Sequence, residues 1–189
     1  MPRFGKNVNF ITMCLWPGGA RKTAQNGACY GFSGRELKVK SILFICHGNI
    51  CRSVMAEYMF KEKVRQLGLE DQFEADSAAT SREELGNEMY PPAKRMLTKK
   101  GIPFGHHRAR QITREDYDRY DLLIGMDDWN LSNMRRMLGN DPDQKFRKML
   151  NYIGLEREVA DPWYTGDFAQ TYEDLDRSLD ALIREEREW

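Results

Sequence analysis

The residues best suited to chemistry lie together between positions 46 and 53, where a cysteine, five further residues and an arginine precede a serine. An apolar run comes directly before this octapeptide, and a segment of helical character follows it. Backbone N–H groups in such a loop can turn inward around a tetrahedral anion, and the start of the following helix favours negative charge at the same point. The spacing therefore predicts a loop that binds a phosphate group.

Several side chains of this loop suit the cleavage of a phosphate ester. Cys46 would lie at the bottom as the nucleophile, because inward N–H groups and the Ser53 hydroxyl stabilise a reactive thiolate. Arg52 offers a planar fork that matches two phosphate oxygens. Gly48 and Asn49 suit unusual backbone angles. The alternative is a buried strand-end cysteine with an unrelated arginine, and the order of strand, loop and helix argues against it.

These motifs resemble the low-molecular-weight protein tyrosine phosphatases, and the resemblance extends over roughly residues 39 to 187. It implies an α/β fold of the phosphotyrosine protein phosphatase I-like type, a three-layer sandwich in which a four-stranded parallel sheet carries helices on both faces. It also implies hydrolysis of phosphotyrosine through a cysteinyl-phosphate, with no cofactor. We expect no metal site, because the histidines and cysteines show no recognised ligand spacing.

A phosphatase also needs an acid, because the phenolate of phosphotyrosine leaves poorly unless it is protonated as the P–O bond breaks. The segment Asp161-Pro162-Trp163-Tyr164 fits that need. An isolated Asp-Pro pair is more often a turn. Here the segment resembles the family's Asp-Pro-aromatic-Tyr sequence, which identifies Asp161 as the acid. Trp163 and Tyr164 are expected to line the substrate ring.

The resemblance also assigns binding and supporting roles around the loop. Asn49, Ser53, Ser77 and His107 are expected to hold the loop in shape through hydrogen bonds, with His107 a structural residue bonded to loop carbonyl groups rather than a catalytic base. Glu83 and Glu84, where some relatives have an aromatic residue nearby, predict a polar cleft wall that repels acidic peptides. The residues expected to bind phosphate or substrate are His47, Gly48, Asn49, Ile50, Cys51, Trp163 and Tyr164.

From residue 39 onward, strand and helix patterns alternate, which predicts a parallel sheet covered on both faces. In such a sheet, ligands bind at the carboxyl ends of the strands near a reversal of strand order. The Cys46 loop follows the first strand and lies at that edge. The predicted strands cover 39–46, 73–77, 121–126 and 145–150, and helices are predicted over 53–67, from Pro91 to Gly101, at 113–116, after a cap at Asp127 or Asp128, and after a cap at Thr171.

Composition predicts one soluble domain with an appended segment. The 189 residues are 41% hydrophobic and 31% charged, and the net charge of zero gives no indication of nucleic-acid binding. Residues 1–37 contain five Lys or Arg, one Asp or Glu, and six of the fifteen glycines, with little periodicity. We expect them to form a flexible N-terminal extension to a phosphatase domain at residues 38–189. Its apolar stretch, residues 8–16, is too short to span a membrane.

The cysteines indicate a reducing environment. Cys14, Cys29, Cys46 and Cys51 match no disulfide framework of a secreted protein, so the cytoplasm is the expected location. Cys51 is either a resolving thiol that forms a regulatory disulfide with Cys46 or a small residue that fills space under the loop. Both readings stay open at this stage.

Three other functions share parts of this pattern. Arsenate reductases of the same fold relay oxidation through further cysteines, and this chain has none after Cys51. Protein-arginine phosphatases usually carry threonine where this chain has Ile50. A phosphate-binding regulator without turnover would have lost part of the catalytic set, which is complete here. The expected partners are phosphotyrosine-containing proteins and a cognate tyrosine kinase.

Overall fold

Four parallel strands form one sheet in the computed structural model of the protein, which describes residues 39–187. The central strand β1 is an almost continuous apolar run, as expected for a strand that is covered on both faces. Phe44 in β1 lies opposite Ser77 in β2 and Ile124 in β3. The order is β2-β1-β3-β4, with β1 at Lys40–Cys46, β2 at Phe73–Ala79, β3 at Leu122–Gly125 and β4 at Phe146–Lys148.

Six α-helices and one 3-10 helix connect and cover these strands within residues 39–187. Gly68 ends the first helix in a left-handed conformation with φ 66°, and Thr113 begins the third with a capping box. The α-helices are α1 at Arg52–Leu67, α2 at Pro91–Lys99, α3 at Arg114–Arg119, α4 at Asp128–Leu138, α5 at Pro162–Thr165 and α6 at Phe168–Glu186, and the 3-10 helix covers Met149–Ile153.

The alternation of side chains along β1 divides the hydrophobic core between the two faces of the sheet. Ile42 and Phe44 belong to one core, which also contains side chains of α1, α2 and α6. Leu43 and Ile45 belong to the other, which contains Tyr120 and residues of α4. The predicted three-layer α/β sandwich with a four-stranded parallel sheet is therefore confirmed.

Two sequence-based boundaries are wrong. The predicted fourth strand, 145–150, ends at Lys148, and the apolar Met149 and Leu150 are buried in the 3-10 helix instead. The last helix is not capped by Thr171, because Asp167 accepts a hydrogen bond from the Gln170 amide and begins α6 earlier. Sequence reasoning also missed α5, whose four residues are too few to give a periodic pattern.

The strand order brings the carboxyl ends of β1 and β3 together. The chain crosses from one side of β1 to the other between β2 and β3, so this is the switch point where open parallel sheets bind ligands. None of the helices that the structure describes is long and apolar enough to cross a membrane. The predicted N-terminal extension, residues 1–37, lies outside the described residues, together with Cys14 and Cys29.

Candidate active site

The loop that joins β1 to α1 curls over the sulfur of Cys46. Cys46 is the last residue of β1 and Arg52 the first of α1. Asn49 adopts a left-handed backbone conformation with φ 58°, which asparagine tolerates better than most residues. This turn lets the Asn49 backbone N–H donate to Cys46 Sγ at 3.3 Å. Residues 46–52 are called the phosphate loop below.

The Cys46 sulfur has a second polar neighbour, the Ser53 hydroxyl. Ser53 Oγ lies 3.0 Å from Cys46 Sγ and accepts a hydrogen bond from Asn49 Nδ2 at 3.0 Å. Because the Ser53 oxygen already accepts from Asn49, its own hydrogen is available to the sulfur. Two donors directed at one sulfur stabilise the thiolate, which is the nucleophilic form of cysteine.

The side chain of Asn49 connects the phosphate loop to β2 and to the segment that follows α2. Its Nδ2 also donates to Ser77 Oγ at 2.8 Å, and that hydroxyl donates to Glu57 Oε2 at 2.6 Å. The Arg110 backbone N–H donates to Asn49 Oδ1 at 3.2 Å. Asn49 is fully buried, and its side chain bonds the loop to its surroundings instead of lining the cleft.

His107 is bonded to the main chain of the same residue. Its Nε2 lies 2.6 Å from the Asn49 carbonyl oxygen. Burial lowers the pKa of His107 below its usual value, although the bond to Asn49 opposes the shift. The ring is therefore neutral near pH 7, and its Nε2–H donates to the carbonyl. The expected structural position, bonded to a loop carbonyl group, is the one that His107 occupies.

Arg52 is a buried cation held between two carboxylates. Its side chain is 4% exposed, and its terminal nitrogens lie 2.7 Å from Asp127 Oδ2 and 2.6 Å from Asp161 Oδ2. Burial alone would lower the pKa of Arg52, but the charges of Cys46, Asp161 and Asp127 raise it above its ordinary value. A guanidinium has five N–H donors, more than these two contacts use. Arg52 thus remains charged and retains donors for an anion.

Asp127 is a site residue that sequence reasoning missed, since the sequence identified it only as a candidate helix cap. Its Oδ1 does cap α4, accepting from the Asn130 backbone N–H at 2.6 Å, while Oδ2 binds Arg52. Asp127 follows β3 by two residues, and β3 pairs with β1. The sequence did contain a signal for this role, because Asp127 lies just beyond the carboxyl end of a predicted strand, where parallel sheets bind ligands.

The predicted acid Asp161 begins a short aromatic segment at the edge of the cleft. Asp161 Oδ1 accepts from the Trp163 backbone N–H at 3.0 Å and caps α5. The Trp163 ring lies 5.3 Å from that of Tyr90, centroid to centroid, and the Tyr90 backbone N–H donates to the Ile50 carbonyl at 2.9 Å. These contacts join the aromatic segment to the phosphate loop. Tyr164 beside it is 86% exposed.

A cleft of about 640 Å³ contains the predicted nucleophile, arginine and acid together. Cys51 also lines it, and burial, with smaller effects of Cys46 and Asp161, strongly raises the pKa of the Cys51 thiol, which stays protonated. Of the predicted residues, Ser53, Ser77 and His107 lie outside the lining, in the network around Asn49. The cleft is lined by Cys46, His47, Gly48, Ile50, Cys51, Arg52, Glu83, Glu84, Asp127, Trp129, Glu158, Val159, Ala160, Asp161, Trp163 and Tyr164.

Comparison with known proteins gives a match over the whole described region. A family model described as "Low molecular weight phosphotyrosine protein phosphatase" matches residues 41–188. The chain is 34% identical over 145 residues to the low molecular weight protein-tyrosine-phosphatase YfkJ of Bacillus subtilis, covering 76% of this chain and 93% of that protein. The human low molecular weight phosphotyrosine protein phosphatase is 34% identical over 153 residues, covering 78% and 96%.

Solved structures agree with this result. The crystal structure of YfkJ superposes with a TM-score of 0.76 at 33% identity and covers 79% of this chain and 96% of that one. The crystal structure of the Drosophila arginine phosphatase DARP superposes with a TM-score of 0.69 at 28% identity and covers 76% and 96%. The fold is therefore common to proteins whose names give two different phosphorylated residues.

We predict that Asp127→Asn weakens the site without unfolding the domain. Asparagine caps a helix about as well as aspartate, so the thermal midpoint should change little. The charged contact to Arg52 is lost, and a hydrogen bond of that kind corresponds to about tenfold to a hundredfold in kcat/KM. Steady-state kinetics on p-nitrophenyl phosphate measures the loss, with Asp118→Asn on α3 as the matched control. Wild-type kcat/KM in Asp127→Asn would contradict this role.

Proposed function

The chain belongs to the low molecular weight phosphotyrosine protein phosphatases, and from this premise we propose how its site hydrolyses phosphotyrosine. The enzyme is a phosphoric monoester hydrolase whose substrates are phosphotyrosine residues. The observation that carries the proposed mechanism is the convergence of the Cys46 sulfur, the Arg52 guanidinium and the Asp161 carboxylate on one cleft. Nucleophile, anion ligand and acid are all needed for the reaction, and all three line that cleft.

In the first step the Cys46 thiolate attacks phosphorus in line with the ester oxygen. A P–S bond forms as the P–O bond to the tyrosine breaks, and Asp161 donates its proton to the departing phenolate. Arg52 and the backbone N–H groups of the phosphate loop bind the three equatorial oxygens, whose charge persists through the transition state. The products of this step are the substrate with an unphosphorylated tyrosine residue and a cysteinyl-phosphate on the enzyme.

The second step regenerates the enzyme. Asp161, now a carboxylate, removes a proton from a water molecule, whose oxygen attacks phosphorus as the P–S bond breaks. The sulfur leaves as the thiolate, which the Ser53 hydroxyl and the Asn49 backbone N–H stabilise. The same two donors that prepare the nucleophile therefore also stabilise the leaving group.

Ile50 supports an aryl phosphate over a guanidinium phosphate. It lines the cleft and offers no hydroxyl, whereas the arginine phosphatases that the sequence resembles usually have threonine there. Trp163, whose ring packs against that of Tyr90 in a tilted arrangement, provides an aromatic surface for a phenyl ring. A protein-arginine phosphatase, suggested by the likeness to DARP, is the second candidate.

The setting of the reaction is also part of the proposal. Cys46 and Cys51 are both free thiols, and a thiolate enzyme works in a reducing compartment, which supports a cytoplasmic location. A tyrosine kinase must supply the phosphotyrosine and is the proposed enzymatic partner. We propose no nucleic-acid partner, because the chain has no net charge.

We predict that phosphotyrosine peptides are the preferred substrates in a steady-state comparison with phosphoserine and phosphoarginine peptides of the same sequence. The phenolate is a better leaving group than an alkoxide, and Ile50 disfavours the guanidinium group. Cys46→Ser should abolish turnover while phosphate or vanadate still binds. Preference for phosphoarginine would establish the second candidate, and binding without any turnover would identify a phosphate-binding regulator.

We predict that Asp161→Asn slows the hydrolysis of substrates with basic leaving groups roughly 10²-fold to 10⁴-fold, the range typical of general acid catalysis. Hydrolysis of substrates with acidic leaving groups should slow much less. Asparagine can still accept the hydrogen bond from the Trp163 backbone, so α5 should keep its cap. Rates on phenyl phosphates of graded leaving-group pKa test this. An equal loss across the series would exclude Asp161 as the acid.

We predict that peroxide inactivates the enzyme reversibly through a Cys46–Cys51 disulfide. Peroxide oxidises the Cys46 thiolate to sulfenic acid, and the Cys51 thiol then displaces water to form the S–S bond. The charge of Cys46 contributes to the raised pKa of Cys51, and oxidation removes that charge. A dithiol should restore wild-type activity but not that of oxidised Cys51→Ser. Equal recovery of activity in the wild type and in Cys51→Ser, with Cys46 and Cys51 of the oxidised wild type found as free thiols by mass spectrometry, would contradict the disulfide.

A further inference from the structure

The segment after β2 forms one wall of the cleft and is fixed to the phosphate loop by main-chain bonds. The Thr80 backbone N–H donates to the Cys46 carbonyl at 2.9 Å, and that of Ser81 donates to the His47 carbonyl at 3.0 Å. Glu83 and Glu84 follow directly and line the cleft. Their carboxylates are therefore carried on a segment whose distance from the nucleophile is set by hydrogen bonds.

Glu84 is held against the phosphate loop without a compensating cation. A Cβ atom placed on Gly48 would lie 3.1 Å from Glu84 Cγ, so glycine allows this close approach. Asn87 Nδ2 donates to Glu84 Oε2 at 2.6 Å. Within residues 39–187, no lysine or arginine pairs with Glu84, whereas Glu83 contacts His47 Nε2 at 3.0 Å.

The segment between β4 and α5 carries a second acid into the cleft. The Val159 backbone N–H donates to the Met126 carbonyl at 3.0 Å, which fixes this segment beside the end of β3. Glu158 Oε1 accepts from the Asp128 backbone N–H at 3.1 Å. In the described part of the chain no cation pairs with the Glu158 carboxylate, and the neighbouring Arg157 forms its ion pair with Asp174.

An exposed tryptophan stands beside this second acid. Trp129, in the first turn of α4, is 67% exposed and lines the cleft with Glu158. Aromatic faces bind lysine and arginine side chains, and a nearby carboxylate strengthens the attraction. The combination of indole and carboxylate is suited to a basic side chain and unsuited to an acidic one.

The order of the strands places the two acids on opposite sides of Cys46. Glu84 follows β2 and Trp129 follows β3, and these strands flank β1. Deeper in the cleft a single cation, Arg52, contacts both Asp127 and Asp161, so it leaves no positive charge to pair with the acids at the rim. What remains around the phosphate position is a rim of unpaired negative charge on both sides.

We propose that this phosphatase selects phosphotyrosine in basic sequence contexts, with lysine or arginine on both sides of the phosphotyrosine. One flanking cation contacts Glu84 and its neighbour Glu83, and the other contacts Glu158 and the face of Trp129. The inference rests on the proposed phosphotyrosine hydrolysis and adds the residues that determine its peptide specificity. Acidic flanks are rejected, because they meet like charge on either side.

The test compares three phosphotyrosine peptides of equal length, flanked by lysine, glutamine or glutamate. We expect kcat/KM to fall in that order, with about tenfold between the first and last at low ionic strength, since an exposed ion pair contributes up to about fivefold. The difference should shrink as salt is added, because exposed charges are screened. Equal kcat/KM for the lysine and glutamate peptides would overturn the proposal.

Variants identify which carboxylates are responsible. In Glu84→Gln and Glu158→Gln, the ratio of lysine-peptide to glutamate-peptide kcat/KM should fall, and in the double variant it should fall furthest, to the part that Glu83 alone contributes. Each rate is divided by the same variant's rate on free phosphotyrosine, so that a general loss of activity cancels. Glu70 lies on the exposed turn between α1 and β2, at the end of the strands opposite the cleft. Glu70→Gln removes one negative charge there and should keep the wild-type ratio.

The two proposals fail in different ways. Absence of free phosphotyrosine hydrolysis would refute the proposed function itself. The specificity proposal alone would be refuted if the enzyme hydrolyses free phosphotyrosine but the double variant keeps the wild-type ratio of lysine-peptide to glutamate-peptide kcat/KM. A ratio that falls equally in Glu70→Gln would also refute it, since the effect would then come from net charge and not from the rim.

Discussion

The buried side-chain amide of Asn49 is the contact on which the rest of the site depends. Its two N–H groups donate to Ser53 and Ser77, and its oxygen accepts from the Arg110 backbone. Its own left-handed backbone lets its N–H reach the Cys46 sulfur. Loss of this amide would remove one hydrogen bond from each of Ser53 and Ser77 and would leave the Arg110 backbone N–H without this acceptor, and a buried polar group left unsatisfied costs about 1 to 3 kcal/mol.

Ion pairs with Arg52 join two further segments to the phosphate loop. Asp127 approaches from the end of β3 and Asp161 from the start of α5, while Arg52 itself begins α1. A buried cation needs such partners, because an unpaired charge in the interior is costly. The arrangement that stabilises Arg52 also places the predicted acid beside the predicted anion-binding group, so one ion-pair cluster serves both folding and chemistry.

The local parts of this design could be predicted from sequence. Structure is indicated by nearby residues alone in the apolar run of β1, the Cys46 to Ser53 spacing, the Gly68 stop and the two prolines at the start of α2. The two boundary errors arose where the neighbouring residues were compatible with two different structures. Thr171 suits a cap as well as Asp167 does, but its hydroxyl donates to the Ala160 carbonyl. The apolar Leu150 fits a strand or a buried 3-10 turn.

The contacts that sequence could not supply are those between distant segments. Asp127 could be identified, as an alternative to Asp128, only as a cap of the helix that follows it, whereas Arg52, which binds its second oxygen, lies 75 residues earlier. The same limit applies to Glu57 beneath Ser77 and to Glu158 and Trp129 at the rim. A pattern along the chain does not say which loops meet until the strand order is known, and the order β2-β1-β3-β4 decides it.

Covalent catalysis by Cys46 makes a phosphorylated enzyme an obligatory intermediate, which acid quenching during turnover can trap. Wild-type enzyme is mixed with a phosphotyrosine peptide, quenched at successive times and digested, and its peptides are analysed by mass spectrometry. If Cys46 is the nucleophile, phosphate is attached to the peptide that contains Cys46, and the amount of this phosphopeptide rises and falls with turnover. Steady hydrolysis with phosphate on another residue, or on none at any time point, would contradict it.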